Sequence, residues 1–134
     1  MKINKQAFRR IIFSVTAAVF SIIAVASILW PQTMAEPLGY QLNNINALNE
    51  FRAIYEGLWL MHAVIFVSAA IRIDNILLGD IGGLLILGQV LGRLVSLVID
   101  GAPSFAIWPM AIVELLGAVL IFMTRPKLAS NRQA

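Results

Sequence analysis

The sequence predicts an all-α integral membrane protein, a four-helix bundle with its N- and C-termini on the cytoplasmic side. Three observations carry that reading. Of 134 residues, 60% are hydrophobic and 13% charged, whereas a soluble domain carries about 25% charged residues. The apolar residues gather into four long runs. Eight of the ten basic residues lie at the ends of these runs that would share one side of a membrane. Mean hydropathy is +0.85. This balance excludes a soluble globular protein, a disordered tail and a free-standing nucleic-acid module. The length fits a single membrane domain over residues 1–134.

The first helix is expected over about 11–30. Ile11–Trp30 has no charge, and at 1.5 Å per residue it covers roughly 30 Å of hydrocarbon. Lys2, Lys5, Arg9 and Arg10 before it and Thr33-Met34-Ala35 after it also fit a cleavable signal peptide. The apolar run exceeds the usual 7–15 residues of such a segment, which favours an uncleaved helix. Pro31, Pro37 and Gly39 then break the chain into an outer loop, 31–49. The second helix is expected over 51–71, with Asn46 or Asn49 as its cap, and the third over 76–99. Asp100-Gly101-Ala102-Pro103 makes a tight turn before the fourth, 105–124. Pro109 falls early there and would kink the helix if it lay beyond the first turn.

Orientation follows from the basic residues. Lys2, Lys5, Arg9 and Arg10 precede the first span, Arg72 sits between the second and third, and Arg125, Lys127 and Arg132 follow the last. Neither the loop Pro31–Asn49 nor the turn Asp100–Ser104 contains Lys or Arg. Trp30, Tyr40 and Trp108 would mark the outer interface. The net charge of +3 and pI near 9.8 thus read as topology signals and anionic-lipid anchors rather than a nucleic-acid patch.

Polar residues inside apolar helices are the candidates for function. In the third span Gly82, Ile86, Gln89, Arg93, Ser96 and Asp100 recur three and four apart, so they share one face, which must look into the bundle. Gly88, Gly92 and Ser96 form a small-residue ladder that admits a neighbouring helix, in the same bundle in preference to a second copy. The second span carries Arg52, Tyr55, Glu56, Trp59, His62 and Phe66 on one face. The fourth carries Glu114, with Gly117 one turn on as a further packing glycine.

Measured from the outer ends, Glu56 and Arg93 lie roughly 10 Å deep and Glu114 about 15 Å. A lone charge there is costly and a paired one tolerable. Arg93 is therefore expected between Glu114, its principal partner, and Glu56, its second, while Arg52 and Asp100 pair near the outer surface. Such a cluster is either a clasp that fixes helix register or an outward-opening polar pocket. His62, the single histidine, is expected to bond within the bundle rather than to bind a ligand.

The run Asn49-Glu50-Phe51-Arg52-Ala53-Ile54-Tyr55, then Gly92-Arg93 through Ser96 to Asp100-Gly101-Ala102-Pro103-Ser104, and Glu114-Leu115-Leu116-Gly117, resembles a family of short bacterial four-helix membrane proteins, domain of unknown function 4345. The resemblance covers about Trp30 to Phe122 and singles out Glu50, Arg52, Tyr55, Gly92, Arg93, Asp100, Gly101 and Glu114. Glu56 stands where the family usually has glycine and Ala102 where it often has arginine. The resemblance supports the fold and the choice of residues and names no activity; the expected location is a bacterial inner membrane.

No catalytic motif is present. Cysteine is absent and histidine single, which leaves no thiolate site, no multi-histidine metal site and no implied cofactor. The favoured function is a binding or assembly protein whose pocket of Arg52, Tyr55, Arg93, Asp100 and Glu114 receives the anionic or polar head group of a lipophilic small molecule, or a helix of another membrane protein. Membrane lipids are further partners. The alternative is a proton-coupled transporter or channel subunit using Glu114 and His62, which would need copies joined through Gly88 and Gly92 in a homo-oligomer. A hydrolase built on Glu56, Asp100 and Glu114 ranks below both.

Overall fold

The computed structural model describes residues 4–126; Lys2, Lys127 and Arg132 lie outside the described residues. The described chain is all-helical, with four helices long and apolar enough to cross a membrane. Helix α1, Lys5–Leu29, starts before the apolar run. The Asn4 side chain accepts from the Gln6 N–H at 3.0 Å, satisfying a free amide of the first turn, and Lys, Gln, Ala and Arg then favour helix. The expected loop 31–49 is itself largely helical: a short helix α2, Pro31–Ala35, runs into a 3-10 turn, Glu36–Leu38. Gly39 ends it with φ +79°, a backbone that suits glycine.

Helix α3 occupies Ile45–Ile71, beginning well before the expected Phe51. Its cap is Asn44, whose side chain accepts from the Ala47 N–H at 2.9 Å; Asn46 and Asn49 lie inside the helix. From Arg52 to Leu58 the turns widen to π geometry, and the Trp59 N–H reaches the Ile54 carbonyl five residues back. Helix α4 is Ile76–Ile99. A 3-10 turn, Phe105–Ile107, leads into α5, Trp108–Met123. Pro109 stands at the second position of α5, where its missing N–H would have had no helical partner. The condition for a kink is not met.

Successive long helices run antiparallel. At the end carrying Asn4 and Pro126, Gln6 Nε2 donates to Asp74 Oδ1 at 3.1 Å and Arg125 pairs with Asp80 at 2.9 Å. The core between α1 and α3 is a column of rings. Phe13 and Phe66 lie 5.9 Å apart and Phe20 and Trp59 5.5 Å; the column continues through Tyr55 to Phe51 and Tyr40 at the opposite end.

Helix α4 closes on this core through glycines other than those expected. A Cβ on Gly79 would sit 2.6 Å from Phe13, and one on Gly82 2.7 Å from Phe66. On Gly83 it would meet Ile121 and Phe122 at 3.0 Å. The expected packing glycines, Gly88, Gly92 and Gly117, face open space, with nothing within 4 Å of an added Cβ. Helix rotation decides which small-residue row meets a neighbour, and the bulky Phe13 and Phe66 select the row one turn nearer the termini.

Arg9, expected on the exposed basic flank, is 1% exposed. Its guanidinium lies 4.9 Å from the Phe13 ring beside Gly79. None of its three side-chain nitrogens has a hydrogen-bond partner among the described residues.

Candidate functional site

The strongest polar contact between spans joins α4 to α5. Arg93 Nε donates to Glu114 Oε2 at 2.6 Å and Nη2 to Oε1 at 2.8 Å. This bidentate geometry matches the guanidinium fork to both carboxylate oxygens. Nη1 takes no part in the pair. The two side chains are 30% and 11% exposed, so the pair borders open space rather than lying sealed in the core.

Glu56 is not the second partner of Arg93. It lies 3.4 Å from Arg52 Nε, one turn back on its own helix. Arg52 accordingly does not pair with Asp100, which accepts instead from Ser96 Oγ at 3.0 Å. In this stretch Phe51, Tyr55 and Trp59 stay on the aromatic face while Arg52 is exposed, one turn from Glu56 on the same helix. Arg52, Glu56, Asp100 and Glu114 are thus not one cluster, and the carboxylates proposed for hydrolysis do not converge.

His62 is buried. Its Nδ1 lies 2.7 Å from the Leu58 carbonyl, which can only accept, so Nδ1 carries a proton and donates. Nε2 is buried without a hydrogen-bond partner among the described residues, and the ring packs 4.9 Å from Phe20. This places it in the α1–α3 core.

Above the Arg93–Glu114 pair is a cavity of about 480 Å³. Tyr55 and Trp59 of α3, Gln89, Gly92 and Ser96 of α4, and Trp108 of α5 contribute to its wall. The Gln89 side-chain oxygen is buried with no partner among the described residues. A second, apolar groove of about 580 Å³ lies between α1 and α5 and runs to Phe8 and Leu120. Trp59 and Glu114 belong to both walls. No group of three or more His, Cys, Asp or Glu side chains among the described residues could hold a metal.

Of the polar residues singled out in the sequence, Tyr55, Gln89, Arg93, Ser96 and Glu114 line the cavity above the ion pair, and Arg52, Glu56, His62 and Asp100 do not; the groove, the wide turns and Trp108 as a wall residue were not expected. Hydropathy carries no signal for a π turn, and a groove between non-consecutive helices depends on tilt. The family model for a domain of unknown function, DUF4345, matches residues 8–124. No curated protein and no solved structure matches the chain significantly. The match spans all four long helices together with the Arg93–Glu114 pair, and the chain belongs to the DUF4345 family.

Proposed function

We propose that this chain is a multi-pass protein of a bacterial inner membrane, with both termini cytoplasmic, that binds a lipophilic molecule by an uncharged, oxygen-bearing head group. The location and orientation rest on the distribution of basic residues. The binding role rests on one observation: an internally neutralised Arg–Glu pair borders a cavity of about 480 Å³ with one guanidinium nitrogen left out of the pair. Because Glu114 already balances Arg93, an anionic head would have to compete with a bound carboxylate. A hydroxyl or carbonyl oxygen can instead accept from Nη1, with the Gln89 amide beside it. The wide turns in α3 support a binding role, since π segments inside α-helices are frequent at functional sites.

Native mass spectrometry of the intact protein, extracted gently from its own membrane, tests the reading. The wild type is expected to carry a discrete small-molecule mass that Arg93→Ala and Glu114→Gln lose while still folded. A wild type with no adduct, or one bound only to another protein, would turn the pair into a structural clasp for that assembly. Flux of protons or ions through reconstituted liposomes would instead favour the transporter reading, with Glu114 as the carrier.

A structural role has its own signature. Arg93→Leu alone leaves a carboxylate unpaired at depth and should destabilise the fold by on the order of 3 kcal/mol. Arg93→Leu with Glu114→Leu should recover most of that loss. Recovered stability without the adduct separates binding from clasping.

A further inference from the structure

The cavity and the groove meet at Trp59 and Glu114, and their join says more about the occupant than either does alone. Building on the head-group reading above, we propose that they form one site for a single-chain lipid. Its uncharged head lies at Arg93 and Glu114, and its hydrocarbon tail runs between α1 and α5 toward Phe8.

Three features support this. The first is the change in wall chemistry: polar side chains border the cavity, while below Glu114 the groove is lined by groups such as Ile12, Val15, Leu116 and Leu120. The second is length. The groove is lined along α1 from Ile23 to Phe8, about 22 Å, which gives room for a tail crossing the roughly 15 Å of hydrocarbon in one leaflet. The third is the placement of two glycines. Gly92 lines the cavity and Gly117 the groove, and a Cβ on either would meet nothing within 4 Å. Neither is needed for close helix approach; each leaves room where a side chain would obstruct the path.

Depth restricts the lipid class. Glu114 stands about 15 Å below the outer surface, near the bilayer midplane. A phosphodiester or carboxylate head would be drawn there against a large desolvation cost. An alcohol or monoglyceride head is not so penalised, and a single tail matches the single groove.

The test measures equilibrium retention of octyl, dodecyl and hexadecyl monoglycerides by the full-length protein in nanodiscs, at equal mole fraction in the lipid. The wild type should retain the hexadecyl probe at least tenfold better than the octyl one. Gly117→Leu should abolish that preference while octyl binding persists, and Gly92→Leu should lose all three probes. Val15→Trp, obstructing the groove from its other wall, should reproduce Gly117→Leu and guards against a folding defect particular to one variant. Octyl binding that depends on Gly92 but shows no length preference would overturn the tail assignment and leave the head-group reading standing. Retention unchanged in every variant would mean bulk lipid alone and overturn the tail assignment. No retention of any probe by the wild type would overturn both.

Discussion

Arg9 shows how far one side chain's environment can depart from its place in the sequence. Among Lys2, Lys5 and Arg10 it reads as one more charge of a basic flank, yet it is buried against Phe13 and Gly79 with its guanidinium unpartnered among the described residues. The Asp80 carboxylate acts on it only through its charge, without a hydrogen bond, and burying an ion without close partners opposes folding, so Arg9→Met, which keeps the apolar stem, should raise stability by about 1–4 kcal/mol. Thermal unfolding in detergent checks this; a lowered midpoint would mean that Arg9 has a partner in the folded protein. Gly79 has the opposite character. Gly79→Ala would place a methyl 2.5 Å from the Arg9 guanidinium and 2.6 Å from the Phe13 ring, and should cost about 1–3 kcal/mol by overpacking. Gly88→Ala, with nothing within 4 Å, is its control and should leave the midpoint in place. Arg93 and Glu114 were legible in the sequence because each is a charge in an otherwise apolar span and each requires the other. Arg9 was not, because a flanking arginine needs no partner until the fold buries it.

Among the elements, α4 is the one whose limits the sequence predicts at both ends, since Asn75 and Asp100 bracket an apolar run with no polar helix beyond it. The starts of α1 and α3 lie in polar residues, where the caps Asn4 and Asn44 decide the boundary and hydropathy is silent. The wide turns of α3 are the least legible feature. Phe51, Tyr55 and Trp59 recur every four residues along the buried side there, a spacing that an α-helix would also keep on one face, so the ring pattern alone does not reveal them. Deleting Gly57 lets the segment close into an α-helix with one residue fewer. Three α-helical steps of about 100° then replace four narrower ones between Tyr55 and Trp59, so the two rings keep nearly the same facing. The expected result is that the near-ultraviolet dichroism of the Tyr55–Trp59 pair is retained, with helix content unchanged. Loss of that signal would show that the ring column needs the wide turns.

In the whole molecule, α1 and α3 form the packed centre, and α5 rests mainly on α4. Two ion pairs hold it there, Arg93–Glu114 and Asp80–Arg125. They differ in weight. The second sits at the bundle end on an exposed arginine, whose ionised form is favoured by its hydrogen bonds to Asp80 and by the charge of that carboxylate. Exposed pairs contribute little, so Arg125→Gln should leave the unfolding midpoint nearly unchanged, in contrast to Arg93→Leu. The pairs lie 13 residues apart along α4, about 20 Å, so their effects should add. A midpoint in Arg125→Gln as low as in Arg93→Leu would make the terminal pair a principal attachment of α5.

The α1–α5 groove is walled by residues such as Ile11, Val15, Val113 and Leu116 that face outward. With the helices across a membrane as proposed, its long side opens to hydrocarbon and not to water, and a lipid occupant would arrive by lateral diffusion. Its aqueous concentration then says little about occupancy, which follows its mole fraction in the bilayer. Apparent affinities per litre of buffer would shift with every change in the lipid-to-protein ratio, and the same data plotted against mole fraction would fall on one curve.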